Sequence, residues 1–201
     1  SGFTMEGYPH RAIFSMPFQG LTDKGIPTYL NEKGNLTSTD LNFQNRTDNS
    51  YLIYEGPTEP TVTGSLGNEL KWKNWRLNIF VTYSFGSYVR LDPVFSARYN
   101  DLTSMTKEFK NRWMQAGDEK ITSVPGILPY RMYRDDSSLR IAYNAYNYTS
   151  NRTAKGDFIR MKEISLGYDF PKSIVKTLGV NTLAMKLQAT NLFLIYADKK
   201  L

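Results

Sequence analysis

The chain has 201 residues, no cysteine, fourteen tyrosines, eleven phenylalanines and a formal net charge of +6. The length suits one good-sized domain, and the missing cysteine excludes disulfides, thiolate catalysis and cysteine-based zinc sites. No stretch approaches the ~18 consecutive apolar residues of a transmembrane helix, and the Lys and Arg residues are scattered, which argues against a nucleic-acid partner.

Residues 12–20 are strand-like, but Pro17 cannot donate to a ladder and confines them to an edge, an end or a bulge. Turns are expected at 22–25 and 31–34, with a short extended piece at 27–30 between them. Residues 35–50, rich in Asn, Thr and Asp, read as loop, and 51–54 as a short β run closed by Gly56-Pro57. Two long strands follow, 60–72 and 75–88, about a two-residue turn at Lys73-Asn74. On the second, Leu77, Ile79, Val81, Tyr83 and Phe85 share one face and Arg76, Asn78, Thr82 and Ser84 the other, with Phe80 as the exception. Aromatics edge the apolar face: Trp72 and Trp75 at the turn, and Tyr83, Phe85 and Tyr88 at the far end. Long alternating strands with aromatic girdles are the signature of a transmembrane β-barrel, whose polar interior hides the membrane signal.

Residues 91–156 read as a long irregular region. Leu102, Met105, Phe109 and Trp113 recur at helical spacing and predict a helix over 101–116. Residues 123–130 form a Pro-Gly turn segment, and 142–148 interleave three tyrosines with Asn and Ala. Residues 157–170 are the third long strand. Ile164, Leu166, Tyr168 and Phe170 face one way and Glu163, Ser165, Gly167 and Asp169 the other; strict alternation puts Arg160 and Lys162 on the apolar face. A connector, 171–182, holds a helical turn over 173–178 and a Gly179 stop. The fourth strand, 183–195, turns Leu183, Met185, Leu187, Ala189, Phe193 and Ile195 to the apolar face and Lys186, Gln188 and Thr190 away from it. Asn191 falls on the apolar parity and needs a partner or a bulge. The four long strands are expected to be consecutive antiparallel neighbours.

Familiar catalytic signatures are missing. The single histidine, His10, lies beside Pro9 in a loop, and there is no phosphate loop, His-Glu-x-x-His or Gly-x-Ser-x-Gly element. Asp118-Glu119 and Asp135-Asp136 are adjacent carboxylates, which point apart in extended chain and read as solvated loop residues rather than glycosidase or metal pairs. The Asn-x-Thr triplets at 35, 45, 147 and 151 are those expected by chance in an Asn- and Thr-rich chain.

Several stretches, in order, resemble the C-terminal barrel portion of the SusC/RagA family of TonB-linked outer-membrane transporters of Bacteroidetes. They are Gly7-Tyr8-Pro9 with Ala12-Ile13-Phe14 and Phe18-Gln19-Gly20; Gly56-Pro57-Thr58-Glu59-Pro60 through Gly64, Gly67-Asn68, Trp72-Lys73-Asn74 and residues 80–86; and Arg112-Trp113 with Gly117-Asp118. Residues 156–162 with Leu166-Gly167-Tyr168 and Phe170-Pro171 are the most specific, and Leu178-Gly179 and residues 190–193 complete the set. The departures are Ala116, where Pro is usual, and truncation: the plug, the TonB box and the flanking strands are not in this chain, which reads as a fragment, residues 1–201 being part of the barrel.

The resemblance implies an all-β fold, part of a large antiparallel transmembrane barrel of about 22 strands, with long extracellular loops, in the cell outer membrane. It implies nutrient uptake of oligosaccharides or peptides with a SusD-like lid lipoprotein, energy from the TonB complex acting on the plug, lipid and lipopolysaccharide as surroundings, no cofactor and no catalysis. On that reading Leu77, Ile79, Val81, Leu166, Leu187 and Phe193 face lipid. Glu69, Arg76, Asn78, Thr82, Glu163, Lys186 and Gln188 face the lumen. Trp113, Tyr130, Tyr133, Tyr143, Tyr146 and Tyr148 offer stacking faces, and Arg131, Arg134 and Arg140 bidentate donors, to substrate or lid. The alternative is a secreted β-sandwich that binds glycans, in which Leu77, Val81, Leu187 and Phe193 would all be buried in one core.

Overall fold

The computed structural model describes residues 4–41, 50–95 and 104–201. The chain divides into two compact units: Ser1–Thr58 with Val89–Ala154, and Glu59–Tyr88 with Lys155–Leu201. In order, the strands are β1 (Ala12–Ser15), β2 (Phe18–Leu21), β3 (Pro27–Leu30), β4 (Leu36–Thr37), β5 (Ile53–Pro57), β6 (Val62–Trp72), β7 (Trp75–Phe85), β8 (Tyr88–Arg90), β9 (Thr153–Lys155), β10 (Phe158–Asp169) and β11 (Ala184–Ala197). The α-helices are α1 (Tyr130–Asp135), α2 (Ser137–Tyr146) and α3 (Lys172–Thr177). None is long and apolar enough to cross a membrane, which says nothing of strands.

In the first unit the strands are short. β1 pairs with β5, and β2, β3 and β4 form a meander. Pro17 separates β1 from β2, as its missing N–H requires. The turns fall where expected. Thr22 Oγ1 accepts from Lys24 N and Ile26 N, and Asn31 Oδ1 from Lys33 N and Asn35 N, with Gly25 and Gly34 left-handed. β4 breaks the stretch read as loop; residues 42–49 lie outside the described residues.

The region 91–156 is not merely irregular. Its centre is α2, which buries Leu139, Ala142, Tyr143, Ala145 and Tyr146. Asp136 caps it, its side chain accepting from Ser138 N at 2.9 Å and Leu139 N at 3.1 Å. At the other end Asn147 clamps the chain at 94–95: Oδ1 accepts from Val94 N and Phe95 N, and Nδ2 donates to Phe95 O. Among the described residues, the hydrophobic clusters of the unit each include a residue of α2: Ala142 and Ala145 with Met16, Tyr29 and Leu41; Leu139 and Tyr143 with Phe95 and Leu128; Tyr146 with Val94 and Val124. Tyr29, fully buried, donates to Ala142 O at 2.6 Å. The helix expected over 101–116 is reduced to a 3-10 turn at Lys107–Asn111, flanked by extended Thr106 and Arg112. Residues 101–103 lie outside the described residues. The spacing of Phe109 and Trp113 arises from separate packing duties instead: Phe109 packs against the Tyr146 cluster, and the Trp113 ring fills the space beside Gly25 and Gly126.

The second unit is one antiparallel sheet in the order β11-β10-β7-β6. The four long strands are therefore neighbours in the expected order, with β7 paired to β10. Rows such as Leu70–Leu77–Leu166–Leu187 cross all four strands. The sheet is open: no pairing closes β6 onto β11 among the described residues. α3 and left-handed Gly179 form the connector before β11.

Alternation fails in the middle of β10, and the failure corrects the sequence reading. Between the rows Phe80–Glu163–Thr190 and Val81–Met161–Phe193, β7 has no residue, β10 has Lys162, and β11 has Asn191 and Leu192. This widening bulge shifts the parity of β10 by one. Ile159 and Met161 consequently join Tyr83 and Val81 on the apolar face, while Arg160 stands opposite Thr82 on the polar one. Asn191 adopts φ 52° and accepts from Lys162 Nζ at 2.8 Å, so its polar group is satisfied at the break. A second shift in β11 places Tyr196 opposite Ile159, so Tyr196 and not Ile195 continues the apolar face.

Asn tolerates the left-handed region and a β-branched residue does not. Asn191→Val is expected to destabilise the folded protein by about 1–3 kcal/mol and Asn191→Gly by less. Urea titration in detergent micelles compares them, and equal midpoints for the two variants would contradict a left-handed residue at 191.

Candidate functional site

Register assigns the sheet's side chains to faces. The rows Leu77–Leu166–Leu187, Ile79–Ile164–Ala189 and Val81–Met161–Phe193 lie on one face. This gathers all six residues expected to be lipid-facing. Leu66 and Leu70 of β6 extend the face, opposite Val81 and Leu77. Within this unit nothing covers its outer strands: Leu66 is 69% exposed, Leu187 73% and Phe193 55%. Aromatic rings close both ends. Trp75 and Tyr168 stack at 4.6 Å beside Trp72 and Phe170, and Tyr83 and Phe85 lie 5.8 Å apart at the far end, where Tyr196 joins them. The Tyr83 ring occupies the space over Gly64, its cross-strand partner, where a Cβ would come within 2.5 Å of the ring carbon bearing the hydroxyl.

The opposite face is polar. Its rows are Glu69–Asn78–Ser165–Gln188, Lys71–Arg76–Gly167–Lys186 and Gly67–Phe80–Glu163–Thr190, with Thr82 beside Arg160. All seven residues expected on the lumen side fall here. Phe80, the apolar exception, lies across from Gly67, whose missing side chain leaves room for the ring. Arg76 reaches past Gly167 to Asp169, 2.7 Å away. Both partners are about half exposed, so the pair contributes modestly, about 0.2–1 kcal/mol.

The nine aromatic and basic candidates of the first unit separate by exposure. Tyr143 (2% exposed) and Tyr146 (1%) are core residues and not stacking faces; they lie on the buried side of α2. Burial pushes the Tyr146 hydroxyl up to about 12, against the opposing pull of Arg152 and a hydrogen bond with Ser123. Tyr133 is half-buried against Phe95, with the Arg140 guanidinium over its ring. Arg134 is engaged bidentately by Asp135. Tyr130 (66% exposed), Tyr148 and Arg131 are presented to solvent, Tyr148 beneath the Arg90 guanidinium.

Trp113 anchors a compact loop. Its indole N–H donates to Glu119 Oε2, which also accepts from Gly117 N at 2.8 Å; Asp118 Oδ2 accepts from Met114 N and Gln115 N. The carboxylate pairs thus hold local structure: 118 and 119 tie this loop, Asp136 caps α2, and Asp135 holds the Arg134 side chain. Among the described residues no group of His, Asp or Glu side chains gathers as a metal ion needs.

Sequence reasoning did not anticipate an open cleft of about 550 Å³ in this unit, lined by Glu108, Arg112, Asp118, Ser123, Tyr146 and Arg152 among others. Arg152 is buried in its wall, ion-paired with Glu108 and donating to Asp92 O. In the sequence it appeared only as the middle of an Asn-Arg-Thr triplet, and nothing local marks it as buried.

No family model matches the chain. It is 25% identical over 137 residues to TonB-dependent receptor P3 of Formosa agariphila, covering 68% of this chain, and 25% identical over 135 residues to TonB-dependent receptor P39 of the same organism, covering 65%. The chain spans about 12% of the length of these curated relatives. Among solved structures it superposes on the RagAB peptide importer in its open-open state with a TM-score of 0.62 and 19% identity, covering 95% of this chain and 19% of that one. A second structure, of the RagAB peptide transporter, gives 0.62 and 20%, covering 94% and 20%.

The Glu119 carboxyl is held below the usual carboxylate range, first by its own backbone N–H, then by that of Gly117 and by the Trp113 indole. A group depressed in the folded state stabilises fully above its unfolded value, and that contribution is lost as pH falls through the lower folded one. The loop around Trp113 should therefore stay closed throughout the neutral and mildly acidic range. With Trp72 and Trp75 replaced by Phe, Trp113 emission is expected to change only below the ordinary carboxylate range, and to lose that change in Glu119→Gln. A transition centred near neutral pH would contradict this.

The chain thus has the fold of part of a RagA-type transporter and sequence similarity to TonB-dependent receptors, and the resemblance to the SusC/RagA family read from its motifs holds on both counts.

Proposed function

We propose that residues 1–201 form a section of the wall and extracellular loops of a TonB-dependent importer in the bacterial outer membrane, from the C-terminal part of a barrel of about 22 strands. The observation that carries this reading is the two-faced sheet: four long neighbouring strands, one face apolar, uncovered and rimmed by aromatics, the other ionic. Backbone groups in hydrocarbon must all be paired, which a sheet achieves only by closing; here β6 and β11 would continue into further strands of the complete protein. The apolar face then meets lipid and the polar face the lumen. A sandwich would cover Leu187 and Phe193 with a second sheet, and nothing in this unit does so.

The first unit supplies the extracellular side. Its two chain segments connect to the sheet ahead of β6 and between β7 and β10, at the end opposite Lys73-Asn74 and the α3 connector. Long loops lie outside the cell and short turns inside. We assign Tyr130, Arg131 and Tyr148 to contact with a SusD-like lid lipoprotein or with an oligosaccharide or peptide cargo, because their rings and donors are exposed. Transport rather than catalysis is the role, with TonB acting through a plug elsewhere in the polypeptide. The relatives are receptors and a peptide importer by name, which supports import and leaves the cargo to experiment.

Three measurements on the full-length protein test this. Spin labels at 77, 81, 166, 187 and 193 are expected to be quenched by a lipid-soluble reagent and labels at 78 and 188 are not; protection of the first set would reject the wall assignment. Val81→Arg is expected to destabilise by about 2–4 kcal/mol if residue 81 sits at the midplane. Replacing Tyr130, Arg131 and Tyr148 together by Ala is expected to abolish uptake or lid association with the barrel still assembled, and unchanged uptake and lid binding would reject the loop assignment.

A further inference from the structure

One row of the polar face combines three cations with a gap. Lys71, Arg76, Gly167 and Lys186 stand side by side across β6, β7, β10 and β11. Lys71 lies 2.8 Å from Glu69 and Arg76 2.7 Å from Asp169. Lys186, beyond Gly167, has no carboxylate within ion-pair distance among the described residues. The local balance is three positive charges against two negative.

Gly167 leaves a notch of about 240 Å³ between Arg76 and Lys186, lined also by Asn78, the buried Ser165 and Gly167, and Glu69, whose carboxylate is paired with Lys71. Arg76 Nε lies 3.8 Å from the position a Cβ on Gly167 would take, whereas Asp169 is engaged through Nη2. The unused edge of the guanidinium therefore borders the notch. Guanidinium donors are coplanar and match a carboxylate better than they match a spherical anion. The volume is below the ~300–1,000 Å³ typical of small-molecule pockets, so it suits one functional group and not a whole cargo molecule.

We infer that the notch over Gly167 is a carboxylate-binding site, bordered by Arg76 Nε on one side and by Lys186 on the other. The third position of the row is glycine because a side chain there would occupy the anion's place; a Cβ itself meets only ordinary van der Waals contacts. The site needs the sheet alone, whichever solvent each face meets. The carboxylate belongs either to an acidic side chain elsewhere in the same polypeptide or to a diffusing molecule.

Thermal melting of the full-length protein in detergent, in sodium acetate against sodium chloride at equal ionic strength and pH, separates the sources. For a diffusing carboxylate, acetate raises the melting temperature above that in chloride, and the rise disappears in Lys186→Gln and in Gly167→Thr. For an internal carboxylate, acetate and chloride agree, Lys186→Gln melts lower, and Lys186→Arg restores wild-type melting. The inference is overturned if acetate and chloride agree and Lys186→Gln melts like wild type, or if Lys186→Arg fails to restore a deficit. Neither result bears on lipid quenching of spin labels, so this site and the wall assignment fail separately.

Discussion

A strand has only two faces, and the choice between them is made by register. In the β6–β7–β10–β11 sheet every other property depends on that choice: which residues are dry, where the ion pairs lie, and how the aromatic rims line up. A slip of one residue would exchange Leu166 for Gly167 on the apolar side and carry Glu163 with it. The register is held by pairs that fit only one way. The Tyr83 ring needs the bare surface of Gly64, and the Phe80 ring needs that of Gly67. Glycines weaken a strand taken alone, yet here each is matched by a large neighbour from the adjacent strand.

The first unit obeys a different constraint. Its strands have at most five residues and cannot bury a core between themselves. Ten residues of α2 supply what they lack, by offering small side chains at 142 and 145 and large ones at 139, 143 and 146. The polar residues at its ends matter as much as its apolar side, since Asp136 starts the helix and Asn147 fastens the chain that follows β8. Arg90 is treated similarly: half-buried, it donates to Ser15 Oγ, Phe14 O and Thr149 O, and its desolvation lowers its pKa from the ordinary arginine value.

Much of the sheet was legible because period-2 alternation over eleven or more residues is a strong signal, and the turn at Lys73-Asn74 leaves little choice of partner. Asn191 was legible as a problem, an amide on an apolar parity, but not as the solution. Its backbone angle and its bond to Lys162 arise only when three strands are aligned. The reading of Arg160 as an apolar-face residue failed for the same reason: parity counted along one strand cannot register a bulge set by its neighbours. α2 was missed because Tyr, Asn and Ala near its end resemble loop composition, although Asp136 followed by Leu139, Ala142, Tyr143 and Tyr146 carries both a cap and a helical period. Tyr143 and Tyr146 belonged to that period and were read as exposed. The helix predicted around Phe109 made the opposite error, taking residues from distinct contacts as one face.

The bulge through Lys162 and Asn191 also bears on how such a sheet can change in length. The interruption contains no residue in β7, one in β10 and two in β11. Deleting Lys162 by itself would set Met161 next to Glu163, still on opposite faces, and keep residues 158–161 on their present sides, whereas deleting one residue from 191–192 would put the end of β11 on the wrong sides of the sheet. Removing both 191 and 192 would leave the alternation of β11 intact on either side. For insertions and deletions, then, β10 can shed its one extra residue alone, while the two extra residues of β11 behave as a single unit of inheritance.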